Sequence, residues 1–164
     1  MNKNQFQKLI IVPLVNSLGT KIFFNGKEVW KIGIGYKDRN TKGIAYVWTN
    51  KAQIVISWQT NFYNTLQALF HELGHTCLHK GDWIIHEPDF IEIEAELMAI
   101  QICKYLNIRY NDHSFNYEET DLENLYMHYK GQRKPRHRLI NKYAKQIANI
   151  LKDIHQEYEF SNFK

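Results

Sequence analysis

His71, Glu72 and His75 stand in the run His71-Glu72-Leu73-Gly74-His75, two imidazoles four residues apart with a carboxylate beside the first. On an α-helix, positions four apart lie about 40° apart around the axis and one turn along it, so both rings can reach one cation. Glu72 falls about 100° around from His71, near enough to approach a water on that cation without being a ligand. Two neutral nitrogen ligands, an open coordination position and a carboxylate that takes a proton from water are the parts of metal-assisted hydrolysis. Shuffling this composition yields the pattern in roughly one chain in forty, so its surroundings must add weight. They do: Phe62, Leu66, Leu69, Leu73 and Cys77 form an apolar stripe, and His71 and His75 lie opposite it with Asn64, Gln67 and Ala68. Asn61 to His79 therefore reads as one amphipathic helix, ended by Gly81 and Asp82.

Such a site needs a third ligand. A metzincin would place a histidine six residues after His75, but that position is Gly81. His79 lies roughly 12 Å along a straight helix from His71, too far to share an ion with it. Asp82 and His86, in the following loop, stay open as alternatives. A glutamate on the next helix is the remaining option, the gluzincin arrangement. That helix starts at Pro88 and runs to about Leu106, with Ile91, Ala95, Met98, Ile102 and Leu106 on one stripe. On its wheel Glu92 and Glu96 border the stripe beside Cys103, whereas Glu94 points away and is expected to face solvent. Glu92 is chosen as the ligand, and Glu96, one turn on, as the carboxylate that holds a histidine ring nitrogen.

The two motifs, His71-Glu72-Leu73-Gly74-His75 and Glu92-Ile93-Glu94-Ala95-Glu96-Leu97, resemble the compact zincin-like metallopeptidases. These are the ImmA/IrrE group and the related metallopeptidase domain of ArdC-type antirestriction proteins. The resemblance spans roughly residues 45–154 and implies metal ligands His71, His75 and Glu92, catalytic Glu72 and one Zn²⁺ per chain. Glu96 matches a Glu in ArdC-type proteins and an Asn in the ImmA/IrrE group. The ending usual after the ligand helix in the latter is replaced by Ile102-Cys103-Lys104-Tyr105-Leu106.

The elements that must position these residues come in two halves. Through residue 60 the chain reads mostly as short strands: Lys21 to Asn25, Val29 to Ile34, Ala45 to Thr49 and Gln53 to Trp58. The last two suggest a hairpin around Asn50–Lys51, and Gln53 to Ser57 offers an edge to which an extended peptide could add. A short helix over Asn4 to Leu18 precedes them, with Pro13 against it. Residues 61–158 read as mostly helical, with a capped third helix from Thr120 to Gly131 and a fourth from about Pro135 to His155. The fourth carries Leu139, Tyr143, Ile147, Ile150 and Ile154. The expected fold class is α+β: a small gluzincin-like zincin with an N-terminal antiparallel β-sheet followed by a helical half.

At 164 residues, with 44% hydrophobic and 23% charged, the chain suits one domain over 1–164 and excludes wholesale disorder. Its longest aliphatic run, Leu9 to Val15, falls far short of the roughly 20 residues that span a bilayer, so no membrane partner is expected. Cys77 and Cys103 read as reduced, buried thiols of a cytoplasmic protein. Trp48 and Trp58 read as core aromatics. Tyr126, His128, His113 and Tyr129 are candidates to stabilise an oxyanion, none preferred. The net charge of +4 is concentrated: Lys130, Arg133, Lys134, Arg136, Arg138, Lys142 and Lys145 form a basic block without an acid. Arg133, Lys134, Arg136 and Arg138 are its candidate DNA contacts.

Two functions follow. The first is a zinc-dependent metallopeptidase with a narrow protein substrate, such as a repressor, associated with a phage or mobile element. The second is a non-proteolytic, zinc-containing module that binds DNA, through residues 130–145, or a nuclease. Glu72 separates them, because a structural zinc site has no need of a general base.

Overall fold

The computed structural model describes residues 1–24, 43–47, 53–58, 62–80, 88–110 and 136–158. The expected strand at Val29 to Ile34 and helix at Thr120 to Gly131 lie outside them. The first element is a helical arm in three parts: α1 (Lys3–Phe6), a π-helical turn (Gln7–Ile11) and α2 (Val12–Leu18). Asn2 and Gln5 cap its start reciprocally, each side chain accepting from the other's main-chain N–H at 3.0 and 2.9 Å. Pro13 lacks an N–H and would break an α-helix interior. It sits just past the wider turn, where Val12 N–H reaches the Gln7 carbonyl, and so opens α2 without breaking the arm. Gly19, at φ +64°, ends it in the left-handed conformation that glycine adopts without strain.

The arm buries Phe6, Ile10, Ile11 and Leu14. Phe6 stacks between elements, its ring centroid 5.2 Å from Phe24, 5.7 Å from Trp58 and 5.8 Å from Phe62. Trp58 is thus part of an aromatic core cluster, which an edge-on geometry stabilises beyond area burial alone.

Strands β1 (Lys21–Phe24), β2 (Gly43–Tyr46) and β3 (Gln53–Ile56) form one sheet in the order β1-β3-β2. β2 runs antiparallel to β3, with Ala45 opposite Ile54, and β1 runs parallel to β3, with Ile22 opposite Ile54. The expected all-antiparallel sheet is therefore corrected to a mixed one. Side-chain alternation reports which face is buried and carries no strand direction. The expected docking edge at Gln53 to Ser57 is corrected as well. β3 is the central strand, paired on both sides, and its buried run Ile54-Val55-Ile56 is that of a strand covered on both faces.

Helices α3 (Phe62–Leu78), α4 (Pro88–Tyr105) and α5 (His137–Tyr158) make the described part mostly helical, a mixture of helix and strand of α+β order. α3 lies between the sheet and α4, and α4 lies between α3 and α5. The stripe read on α4 is the core line, with Ile91, Ala95, Met98, Ile102 and Leu106 all buried. On α5 the buried line is Ile140, Ala144, Ile147, Ala148 and Leu151, whereas Leu139, Tyr143 and Ile150 are half-buried. The phase read from the larger side chains is off because two alanines take the close-packed positions. None of the described helices is long and apolar enough to cross a membrane.

Candidate metal centre

Because α3 is covered by the sheet on one side and by α4 on the other, its polar residues are buried too. His71, Glu72 and His75 are each less than a tenth exposed, and Thr65, Gln67 and Thr76 are buried with them. A buried polar side chain needs a partner, and α4 supplies carboxylates to both histidines. His71 Nε2 lies 3.0 Å from Glu92 Oε2, and His75 Nε2 lies 3.4 Å from Glu92 Oε1. The two Nε2 atoms are 3.1 Å apart. Ligand atoms of His71, His75 and Glu92 all lie within 4.8 Å of one another, a group that could hold a metal ion.

The donor set passes a chemical test. With each imidazole proton on Nδ1, the two Nε2 atoms and the Glu92 oxygens are all electron-pair donors, and a cation among them makes their convergence favourable. A proton is the lesser such cation. Burial alone would lower the pKa of His71, but hydrogen bonds to Glu92 and Glu96, helped by the charge of Glu72, raise it to about 10. Burial would raise Glu92, yet its hydrogen bond to His71 and the closeness of His75 reverse this and hold it well below the usual carboxylate range. Two imidazoles and one carboxylate are also the protein ligands of many catalytic zinc sites.

The other nitrogen of His71, Nδ1, lies 2.9 Å from Glu96 Oε2. Glu96 is buried, and its Oε1 accepts from the Tyr110 hydroxyl at 2.5 Å. With Nδ1–H directed at a carboxylate, His71 in its neutral form presents the lone pair of Nε2 to a metal. The sequence reading did not include Tyr110. It follows the end of α4, and no periodicity links it to a residue fourteen positions upstream.

Glu72 points away from α4, toward β2. The main-chain N–H of Ala45 donates to its carboxylate. Its pKa is raised, by burial first and by the nearby Glu92 charge, against the lowering effects of His71, His75 and the Ala45 N–H. Gly43 makes room for it: a Cβ there would come within 2.8 Å of Glu72 Cγ.

Glu94 corrects the sequence reading. Expected in solvent, it is fully buried. Its Oε2 lies 3.0 Å from His79 Nε2 and accepts from Arg136 Nη2 at 2.6 Å, while its Oε1 accepts from the Arg136 main-chain N–H at 2.9 Å. Burial would raise its pKa, but the hydrogen bonds from His79 and Arg136 bring it down to about 2. The helical wheel failed because α4 is covered on two faces, not one. Arg136, read from the sequence as a candidate DNA contact, pairs its guanidinium with this carboxylate and stays a third exposed. Arg138, Lys142 and Lys145 are exposed on α5, whereas Arg133 and Lys134 lie outside the described residues. So do Asp82, His86, His113, Tyr126, His128 and Tyr129.

Cys103 is buried and Cys77 half-buried, and neither joins the ligand group. Burial pushes the Cys77 thiol up to about 12, which suits an inert core residue.

Comparison with protein-family models, with curated proteins and with solved structures gives no match.

Proposed function

We propose that this protein is a zinc-dependent metallopeptidase of compact, gluzincin-like plan, with His71, His75 and Glu92 as metal ligands and Glu72 as general base. The observation that carries this reading is the buried Glu72 carboxylate, held beside the His71–His75–Glu92 group from the opposite side by a main-chain N–H of β2. A purely structural metal site gains nothing from a second, non-ligating carboxylate kept at a raised pKa. A general base does, because its proton affinity then lies closer to neutral pH.

A divalent metal held there would polarise a carbonyl and make water acidic enough to be deprotonated near neutrality. Glu72 then accepts the proton of the attacking water and returns it to the leaving amine of the peptide. Glu96, with Tyr110 behind it, fixes the His71 ring so that Nε2 faces the centre. The resemblance of the two motifs to ImmA/IrrE and ArdC-type proteins supports a narrow protein substrate, such as a repressor, in the cytoplasm, on a phage or other mobile element. The rival reading, a zinc-containing module that binds DNA or a nuclease, would draw on the basic residues of the same region, of which Arg136 also pairs with Glu94.

Glu72→Gln tests the proposal, because it keeps shape and hydrogen bonding but cannot take the proton. The variant should fold, retain zinc near the wild-type level and lose proteolysis of its cellular substrate. Full activity of Glu72→Gln in cells would make Glu72 structural and end the peptidase reading.

A further inference from the structure

Beyond the ligand Glu92 and its companion Glu96, α4 carries the third glutamate, Glu94, at the far end of a continuous buried chain. His75 Nδ1 lies 3.2 Å from His79 Nδ1, His79 Nε2 lies 3.0 Å from Glu94 Oε2, and Glu94 is clamped by Arg136 at the start of α5. We propose that His79, Glu94 and Arg136 form a positioning relay that fixes the tautomer of His75 and thereby aims its Nε2 lone pair at the metal position. The proposal rests on the metal reading for its purpose, though not for its proton arrangement.

The protons follow from counting donors and acceptors. Arg136 gives Glu94 its Nε, its Nη2 and its main-chain N–H, so the carboxylate is ionised and can only accept. An imidazole nitrogen 3.0 Å from a carboxylate oxygen must then carry a proton, which places one on His79 Nε2. Arg136 already balances the Glu94 charge, so His79 needs only the proton that Glu94 accepts, and its Nδ1 is left as an acceptor toward His75. The contact between the two Nδ1 atoms needs one proton, and only His75 can supply it. His75 therefore holds its proton on Nδ1 and its lone pair on Nε2, the atom that faces His71 and Glu92. A neutral imidazole cannot present Nε2 to a metal in the other tautomer.

His71 and His75 thus receive the same service by different means. Glu96 orients His71 directly, whereas Glu94 orients His75 through an intervening histidine. The indirect route reaches further. It ties one ligand to the first residues of α5, so a change at that helix start is felt at the centre.

The test is ¹⁵N NMR of histidine-labelled, metal-free protein, together with zinc affinity by chelator competition. In the wild type, His79 should be neutral with its proton on Nε2, and His75 should carry its proton on Nδ1. Glu94→Gln presents an amide N–H to His79 Nε2, which favours the opposite tautomer along the chain. That variant should bind zinc about 10- to 100-fold more weakly than wild type. His79→Gln, whose carbonyl still accepts from His75 Nδ1–H, should keep more affinity than His79→Leu. A wild-type His79 protonated on Nδ1, or Glu94→Gln binding zinc within about twofold of wild type, overturns the relay. If Glu94→Gln does not fold, the wild-type tautomers decide alone. A wild type that holds the predicted tautomers but no zinc overturns the metal reading and leaves the relay standing.

Discussion

Gly74 of α3 lies against Ala95 of α4 so closely that a Cβ on the glycine would meet the Ala95 Cα at 2.7 Å and its carbonyl oxygen at 2.9 Å. This close approach, one residue before His75 in sequence, sets the distance across which Glu92 and Glu96 reach the histidines. In an isolated helix Gly→Ala is stabilising by about 0.8–1 kcal/mol. Here the methyl group would push against backbone, which cannot turn aside. Gly74→Ala should therefore lower the thermal midpoint and weaken zinc binding together, by calorimetry and chelator competition. A raised midpoint with wild-type zinc affinity would show that α4 moves away at no cost.

Removing each carboxylate of α4 should give a graded loss of metal. Glu92 offers ligand atoms to both histidines, and Glu96 touches only the far nitrogen of His71. Wild-type protein should carry about one zinc per chain by elemental analysis, and the His71→Ala/His75→Ala double variant should carry none. Glu92→Ala should lose stoichiometric zinc, and Glu96→Ala should weaken it by about 10- to 100-fold. Equal retention in Glu92→Ala and wild type would move the third ligand elsewhere.

Acid should weaken the fold at the inner end of α4. The folded pKa of Glu94 is lowered from 4.5 to about 2, so its stabilisation is present above 4.5 and lost as pH falls from there toward 2. His79 shifts the same way in effect: its burial lowers its pKa from 6.5, so neutral His79 stabilises above that value and the advantage fades below it. His71 runs the other way, raised to about 10, and favours the metal-free fold at low pH. Comparing wild type with Glu94→Gln cancels the His71 contribution. Urea unfolding of the metal-free proteins should show a larger loss between pH 7 and pH 3 for wild type than for the variant. Parallel pH curves would mean that Glu94 is not ionised against Arg136.

What the sequence discloses here is whatever has a period. The four-residue offset of His71 and His75 and the α4 stripe from Ile91 to Leu106 both repeat with the helix, and both describe the structure. What has no period stayed hidden. A helical wheel turns Glu94 to solvent because it assumes a single covering neighbour, and the start of α5 supplies a second one through Arg136. Strand direction in β1, the central place of β3 and the contact from Tyr110 to Glu96 all depend on how distant segments meet. Pro13 marks a break by its chemistry, and only the π turn before it shows how the arm continues.

Gly43 bears on Glu72, the proposed general base. A Cβ on Gly43 would meet Glu72 Cγ at 2.8 Å, Glu72 Oε1 at 3.0 Å and Ile56 Cδ1 at 2.6 Å, all of them atoms of flexible side chains. The fold can therefore accept alanine by turning those side chains, and a strand interior gains roughly 0.5–1 kcal/mol when glycine is replaced. Glu72, however, can turn only by leaving the Ala45 N–H that holds it. Gly43→Ala should thus bind zinc like wild type, unfold at a similar temperature and lose most of its proteolytic rate. Its rate should fall in kcat more than in KM, since a displaced base weakens the transition state and not the bound substrate. A Gly43→Ala enzyme with an unchanged kcat would show that Glu72 needs no support from β2. A variant that loses zinc as well would place Gly43 in the architecture of the ligands.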